Sequence, residues 1–192
     1  LLKLFIKQLN SMIKKIVFVI MILSFFSNSS ANYHKLAYDF NFKGLDGNQI
    51  YLKNYNNKVI VVVNVASRCG YTPQYNDLQK LWTEYKKKDV VVLGIPTNNF
   101  KQEPGSNSEI KEFCETNFGI NFPMSEKTNV IGGQAHPFYK WAKKDYGIGA
   151  IPKWNFHKII VGKNGKIVDT FASFTKPNSK KFLSAIENEI KN

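Results

Sequence analysis

The chain has 192 residues and a formal net charge of +13 at pH 7, and 21% of its residues are charged. This length and composition are typical of one globular domain with a sizeable core and some additional sequence. The positive charge is carried mostly by lysines scattered over polar segments, without a basic stripe interleaved with aromatic residues, which argues against nucleic-acid binding. A basic surface would instead favour approach to anionic membranes or acidic partners.

The residue pattern also excludes several kinds of cofactor site and scaffold. The two cysteines, Cys69 and Cys114, are too few for a disulfide-rich framework and do not form a CxxC pair. The histidines His34, His136 and His157 lack metal-ligand spacing, and we interpret them as surface or core residues. No glycine-rich phosphate loop follows a strand. We therefore predict no metal ion and no bound cofactor.

Residues 1–35 are predicted to be a targeting segment and linker, ahead of a domain over residues 36–192. Met12 is a candidate translation start. It is followed by lysines, by an apolar stretch over residues 16–26 and by small residues over 27–31, an order that is typical of a signal peptide. The apolar stretch is short for a transmembrane span, and a retained signal anchor is the alternative. We expect export to the periplasm in a bacterium, or otherwise to the secretory pathway or an organelle reached through it. A translation start after the signal would give a cytosolic form.

The first part of the domain predicts a hairpin, a buried strand and a helix. Residues 37–42 and 49–52 alternate between apolar and polar around a glycine-containing turn, which favours a short β-hairpin. The β-branched run over residues 59–65 indicates a strand buried on both faces. Thr72 and Pro73 then form a helix-start signal, a capping hydroxyl followed by proline at the first helical position.

Cys69 is thereby placed in a tight turn between this strand and the helix. Unpaired amide groups and the helix dipole at such a turn favour an anionic sulfur, which is one way in which a chain builds a reactive thiolate. A buried structural cysteine is the alternative that the local pattern leaves open.

Helices and strands alternate through the rest of the chain. In order, the pattern predicts a helix after Pro73, a buried strand over residues 90–95, a polar loop over 96–105, a helix from the Ser106 cap to Gly119, a helix over 137–146, a hairpin of 155–161 with 166–171 around Asn164-Gly165, and a helix from residue 178. This order indicates an α/β fold with a mixed central sheet flanked by helices.

Several stretches, in the same order along the chain, resemble the glutathione peroxidase family in the form that has cysteine in place of selenocysteine. They are Asn64-Val65-Ala66-Ser67-Arg68-Cys69-Gly70-Tyr71-Thr72, Gln102-Glu103-Pro104-Gly105, the Phe113-Cys114 helix running to Phe122-Pro123, and Lys153-Trp154-Asn155-Phe156. The resemblance covers the chain from about residue 36 to the C-terminus and implies a thioredoxin-like fold.

By this resemblance, the catalytic tetrad consists of Cys69 as the peroxidatic nucleophile with Gln102, Trp154 and Asn155 around it. Their amide and indole N–H groups have the chemistry to stabilise a thiolate and the leaving oxygen of a peroxide. Without the resemblance, Trp154 could be a core residue, Gln102 an ordinary loop residue and Asn155 a turn former.

Cys114 lies on the apolar side of its predicted helix, which by itself is typical of a small buried hydrophobe. However, Phe113 to Gly119 resembles the resolving-cysteine segment of two-cysteine family members, which are typically reduced by thioredoxin rather than glutathione. The resemblance thus implies a resolving role for Cys114 through disulfide chemistry.

The chain departs from the family pattern in two places. The loop before Gln102 has Thr97 where the family usually has cysteine, and it is one residue shorter, which affects the placement of Gln102. The segment between Gln134 and Trp154 lacks the insertion that oligomeric members use for subunit contacts. This resembles the monomeric phospholipid-hydroperoxide type, whose open site admits bulky lipid peroxides.

The resemblance therefore implies a thiol peroxidase that reduces hydrogen peroxide and organic or lipid hydroperoxides through a Cys69 sulfenic acid, with reduction of the resulting disulfide by thioredoxin. Reduction by glutathione is the alternative. Two alternatives remain open. One is a redox sensor or relay that passes the oxidation to a partner protein. The other is a secreted binding module in which Cys69 and Cys114 form an inert structural disulfide.

Overall fold

The computed structural model describes residues 35–191, so that His34 and nearly all of the predicted targeting segment lie outside the described residues. In chain order the elements are β1 (Asn41–Lys43), β2 (Gln49–Tyr51), β3 (Val59–Val65), α1 (Gln74–Tyr85), β4 (Val90–Pro96), α2 (Asn107–Phe118), α3 (Pro137–Tyr146), β5 (Lys158–Val161), β6 (Ile167–Phe171) and α4 (Lys180–Lys191). Within the described residues, no helix is both long and apolar enough to span a membrane.

The central sheet is mixed, as predicted, with the strand order β4-β3-β5-β6. Strand β3 pairs in parallel with β4 and antiparallel with β5, and β5 pairs antiparallel with β6. All seven residues of β3 are buried, and full burial of a valine side chain contributes roughly 1.5–3 kcal/mol. The β-branched run therefore fixes β3 inside the sheet, and the turn that carries Cys69 begins at the end of this strand.

Helices cover both faces of the sheet because β3 alternates its side chains between two apolar clusters. Val59, Val61, Val63 and Val65 pack in one cluster with buried residues of α1, α2 and α4. Ile60 and Val62 belong to the other cluster, which contains buried residues of α3 and of the β1–β2 hairpin. Cys69 and Cys114 both lie in the first cluster.

Three predicted boundaries were wrong by a few residues. Residues Ala37–Asp39 form a 3-10 turn instead of a strand, because the amide of Ala37 donates to the carbonyl of Gly165 rather than to a strand partner. Strand β5 begins at Lys158, since the preceding segment contains Phe156 in a left-handed conformation. Helix α4 begins at Lys180, two residues later than predicted.

The capping and turn signals of α2 and the β5–β6 hairpin are confirmed. Ser106 and Glu109 form a reciprocal capping box, and Gly119 ends α2 in the left-handed conformation. Gly165 has a φ of 75° in the hairpin turn, and a Cβ atom there would lie 2.7 Å from the ring of Tyr38. Only glycine fits that turn without strain.

A fully buried lysine connects β5 to the beginning of α1. The Nζ of Lys158 donates to Oε1 of Gln74 at 2.6 Å and to the carbonyls of Thr175 at 2.7 Å and Ser173 at 3.3 Å. The side-chain amide of Gln74 donates to the same Ser173 carbonyl at 2.7 Å. This network anchors the first turn of α1, which directly follows the Cys69 turn, to the loop between β6 and α4.

The ionisation of Lys158 should make stability depend on pH. Burial lowers the pKa of Lys158 to about 7, whereas an unfolded lysine has a pKa of about 10.4. Between these two pKa values the unfolded chain binds more protons than the folded chain, so the free energy of unfolding rises with pH. Below about pH 7 Lys158 is charged in both states, and burial of that charge destabilises the folded state to its full extent. We expect the unfolding free energy of the wild type, relative to Lys158→Met, to rise from about pH 7 to about pH 10.

Urea unfolding at several pH values measures this difference. Lys140→Met, which removes an exposed lysine on α3, is the matched control. The difference in unfolding free energy between the wild type and this variant should not change with pH. A flat or falling difference for Lys158→Met would contradict the assignment of this titration to Lys158.

Candidate active site

Cys69 lies in the turn between β3 and α1, with 7% of its surface exposed. The backbone N–H of Tyr71 donates to Sγ of Cys69 at 3.4 Å. In general, a hydrogen bond from a backbone amide favours the charged form of the group that accepts it. The turn thus supplies the kind of amide contact predicted from the sequence.

Thr72 holds this turn closed but does not cap the helix, so this part of the prediction was wrong. Helix α1 begins at Gln74, Pro73 occupies the N-cap position, and no side chain caps the helix. The hydroxyl of Thr72 instead accepts from the N–H of Cys69 at 3.0 Å and donates to the carbonyl of Ala66 at 2.9 Å. The hydroxyl is used inside the turn, where it fixes the backbone of Cys69.

Gln102 and Asn155 are brought together by a direct hydrogen bond. The Nδ2 of Asn155, a fully buried residue, donates to Oε1 of Gln102 at 2.8 Å. The backbone N–H of Arg68 donates to the carbonyl of Gln102 at 3.0 Å, which links this pair to the Cys69 turn. The shorter loop therefore still places Gln102 against Asn155. Asn155 thus bonds to the oxygen of the Gln102 side-chain amide and not to its nitrogen. The N–H donors of that amide point away from Asn155.

Trp154 is 42% exposed, so it is not a core residue. Its ring lies 5.4 Å from the ring of Phe100, centroid to centroid. Its carbonyl accepts from Nδ2 of Asn64 at 3.0 Å, and the carbonyl of Asn64 accepts from the N–H of Phe156. Asn64, near the end of β3, thus holds the segment with Trp154 and Asn155 beside this strand. The Cys69 turn begins at the same end of β3.

Two residues in left-handed backbone conformations flank this arrangement. Lys101 precedes Gln102 with a φ of 58°, and Phe156 follows Asn155 with a φ of 62°. A non-glycine residue in this region costs about 1–3 kcal/mol and persists only where surrounding contacts impose it. Phe156 is fully buried, and its packing with Tyr75, at a ring distance of 5.4 Å, supplies part of that constraint.

Cys114 occupies the middle of α2 and is 1% exposed. Burial raises its pKa to about 11; the charges of Glu103 and Glu115 add to the rise, and the neighbouring Tyr75 hydroxyl opposes it. Cys114 is therefore a neutral thiol at physiological pH. Both cysteines are free thiols in this structure, in contrast to the alternative of a Cys69–Cys114 structural disulfide.

Cys114 also contributes to the lining of a cleft of about 670 Å³ between the β1–β2 hairpin and α2. Ile50 and Tyr51 line it from the hairpin, Trp82 from α1, and Phe122 from the segment after α2. None of the four predicted tetrad residues lines this cleft. This cleft is therefore lined by Cys114 but not by the predicted tetrad.

Sequence reasoning missed two buried charged side chains near the site, Glu103 and Lys158. Both are at most 1% exposed. The only signal for Glu103 was its position after Gln102 in the Gln102-Glu103-Pro104-Gly105 stretch. Lys158 had no local signal, since its acceptors lie in segments distant along the chain.

Comparison with known proteins places this site in a family context. A family model described as glutathione peroxidase matches residues 37–143. The chain is 44% identical over 147 residues to glutathione peroxidase-like peroxiredoxin 2 of Saccharomyces cerevisiae, covering 74% of this chain and 90% of that protein. It is 41% identical over 158 residues to the hydroperoxy fatty acid reductase gpx1 of Synechocystis, covering 78% and 94% respectively.

Solved structures give the same result for the fold. The crystal structure of Trgpx in apo form superposes with a TM-score of 0.66 at 36% identity, covering 82% of this chain and 97% of that chain. A thioredoxin-family thiol:disulfide interchange protein from Chlorobium tepidum superposes with a TM-score of 0.59 at 16% identity, covering 79% and 92%. The predicted thioredoxin-like α/β fold is confirmed.

The high pKa of Cys114 should make this thiol slow to alkylate in the folded protein. In a Cys69→Ser variant, Cys114 is the only thiol. At about pH 8.5 an unperturbed thiol is half ionised, so ionisation alone should slow the reaction of Cys114 with iodoacetamide about 100-fold relative to the same variant in urea. Equal rates in the folded and unfolded states would contradict this description of Cys114.

Proposed function

Because the chain belongs to the glutathione peroxidase family, we propose that it is a thiol peroxidase in which Cys69 reduces hydrogen peroxide and organic hydroperoxides. The observation that carries this proposal is the link between the amide-contacted Cys69 turn and the hydrogen-bonded Gln102–Asn155 pair. These contacts connect a sulfur nucleophile to the segment that carries the Gln102 amide, and a nucleophile together with N–H donors is what cleavage of an O–O bond requires.

In the first step the Cys69 thiolate attacks one oxygen of the hydroperoxide. An S–O bond forms and the O–O bond breaks; the departing oxygen takes the electron pair and, with a proton, leaves as water or an alcohol. The sulfur is left as a sulfenic acid. The amide of Gln102 and the indole N–H of Trp154 are suited to donate to the departing oxygen, and Asn155 fixes the orientation of Gln102.

In the second step Cys114 attacks the Cys69 sulfenic acid, which releases water and forms a disulfide. A dithiol of the thioredoxin type then reduces this disulfide through a mixed disulfide and is itself oxidised. The relative from Saccharomyces cerevisiae is named a peroxiredoxin, which supports a protein-disulfide route. Since Cys114 is buried in α2, this step requires a local opening of that helix.

Two alternatives concern what happens after oxidation. Glutathione could reduce the Cys69 sulfenic acid directly, in which case Cys114 is dispensable. In a redox relay, Cys69 would pass the oxidation to a partner protein, and turnover with thioredoxin would be incidental. The presence of the second thiol in the same apolar cluster as Cys69 favours the two-cysteine route.

Lipid hydroperoxides are proposed as substrates alongside hydrogen peroxide. Trp154 and Phe174 are exposed large apolar side chains, 42% and 74% respectively, and Phe174 lies in the loop that Lys158 joins to the beginning of α1. Exposed apolar side chains and a net positive charge together suit contact with an anionic lipid surface. We propose that the protein makes this contact as a monomer. Full recovery of the protein in the supernatant after sedimentation with anionic vesicles at low salt would contradict this contact.

Export through the predicted signal segment is a further part of the proposal. It rests on the lysine-flanked apolar stretch before residue 35. A reporter that is active only outside the cytoplasm, fused after residue 35, tests it. A fusion protein that stays in the cytoplasm with its N-terminal segment uncleaved would contradict export.

A coupled assay with tert-butyl hydroperoxide, run once with thioredoxin and its reductase and once with glutathione and its reductase, tests the mechanism. We expect turnover with thioredoxin, none in Cys69→Ser, and none in Cys114→Ser despite one round of Cys69 oxidation. The reason is that only Cys114 converts the sulfenic acid into a disulfide that thioredoxin recognises. Turnover by Cys69→Ser would rule out the peroxidatic role, and thioredoxin turnover by Cys114→Ser would rule out the resolving role only.

A further inference from the structure

The carboxylate of Glu103 is the second charged group buried beside the site. It is 1% exposed, and carboxylates are seldom buried to this extent without specific partners. Its Oε2 accepts from the backbone N–H of Ser67 at 2.8 Å and from the Ser67 hydroxyl at 3.0 Å. One carboxylate oxygen thus satisfies two donors of the residue that lies two positions before Cys69.

The backbone of Glu103 is held as firmly as its side chain. Its N–H donates to Oδ1 of Asn98 at 3.0 Å, within the loop that leads to Gln102. The parallel bond from the N–H of Arg68 to the carbonyl of Gln102, at 3.0 Å, joins the same two segments. Glu103 and Gln102 are consecutive, so the side chain of one and the backbone of the other connect the Gln102 loop to the Cys69 turn.

We propose that Glu103 is a positioning residue for the peroxide reaction, whose carboxylate holds Ser67 and thereby sets the spacing between Cys69 and the Gln102 amide. The proposal rests on the proposed peroxidase function, since that spacing matters only if both groups act on one peroxide. Small displacements of reacting groups are costly, because a shift of about 1 Å can reduce the rate about 100-fold.

The charge of Glu103 has to be separated from its role as a hydrogen-bond acceptor. Burial raises the pKa of Glu103, and the bonds from Ser67 with the charges of Lys127 and Arg68 oppose the rise. The same carboxylate raises the pKa of Cys114. Glu103→Gln removes the charge and retains an oxygen that can accept from Ser67, whereas Glu103→Ala removes both.

The measurement is the second-order rate constant for oxidation of Cys69 by tert-butyl hydroperoxide in a single turnover, in the Cys114→Ser background. Urea unfolding of each variant confirms that the protein is folded under the assay conditions. We expect Glu103→Ala to lower the rate constant at least about 10-fold and Glu103→Gln to restore it to within about 3-fold of the parent, because the acceptor is back in place. Glu112→Ala, which removes an exposed carboxylate of α2, is the control and should be unchanged.

A double-mutant cycle with Ser67 assigns the effect to this contact. Ser67→Ala removes the hydroxyl donor and should slow oxidation in the parent but not in the Glu103→Ala variant, since the acceptor is then already missing. Equal effects of Ser67→Ala in both backgrounds would overturn the proposal. So would a folded Glu103→Ala variant with the parent rate, or a Glu103→Gln variant as slow as Glu103→Ala. If Glu103→Ala does not fold, a parent rate in Ser67→Ala overturns it.

These results also distinguish a failure of the role of Glu103 from a failure of the peroxidase function. Absence of Cys69 oxidation in the parent protein would refute the peroxidase function and the role of Glu103 with it. Normal oxidation in the parent together with any of the contradictory results above would refute the role of Glu103 alone.

Discussion

The hydrogen bond from the amide of Arg68 to the carbonyl of Gln102 connects two segments that are otherwise held by different parts of the sheet. The Cys69 turn continues from β3, and the Gln102 loop continues from β4, its parallel neighbour. Because parallel strands bring their carboxyl ends to one edge of the sheet, the two loops meet there. Ser67 and Glu103 strengthen the junction. The position of Cys69 relative to Gln102 depends on these few contacts.

The third component of the site, the segment with Trp154 and Asn155, reaches it from the start of a strand and not from the end of one. The segment with Trp154 and Asn155 precedes β5, which runs antiparallel to β3, so the start of β5 lies beside the end of β3. Asn64 bonds to this segment through its side chain and its backbone. The mixed sheet is thus the reason that residues far apart along the chain converge at one point. A purely parallel neighbour would have presented its carboxyl end there instead.

The two thiols differ in their surroundings in a way that suits two successive roles. Cys69 has a backbone amide directed at its sulfur, whereas Cys114 is surrounded by apolar groups and by carboxylates that disfavour its anion. A buried neutral thiol does not compete for peroxide, because the thiolate is the reactive form. In the proposed mechanism, Cys114 becomes reactive when α2 opens and its sulfur is solvated. The structure therefore provides a physical basis for the order of the two steps.

The sequence predicted the elements well where local residues determine them. The β-branched run of β3, the capping box of Ser106 and the turn at Gly165 each have a local cause and were confirmed. Thr72 was misassigned because its hydroxyl bonds within the Cys69 turn, which a helix-start pattern does not reveal. The site residues followed from the family resemblance, since the bond between Gln102 and Asn155 spans 53 positions and leaves no local signal. For the same reason Glu103 and Lys158 could not be recognised from the sequence.

The most direct test of the account is to identify which sulfur receives the oxygen. The reduced protein would be treated with one equivalent of hydroperoxide and analysed by intact and peptide mass spectrometry. The account predicts that the wild type loses two hydrogen atoms and acquires a Cys69–Cys114 disulfide, whereas Cys114→Ser gains one oxygen atom at Cys69. Oxygen found on Cys114 in a Cys69→Ser variant at a comparable rate, or an unmodified Cys69 in Cys114→Ser, would contradict it.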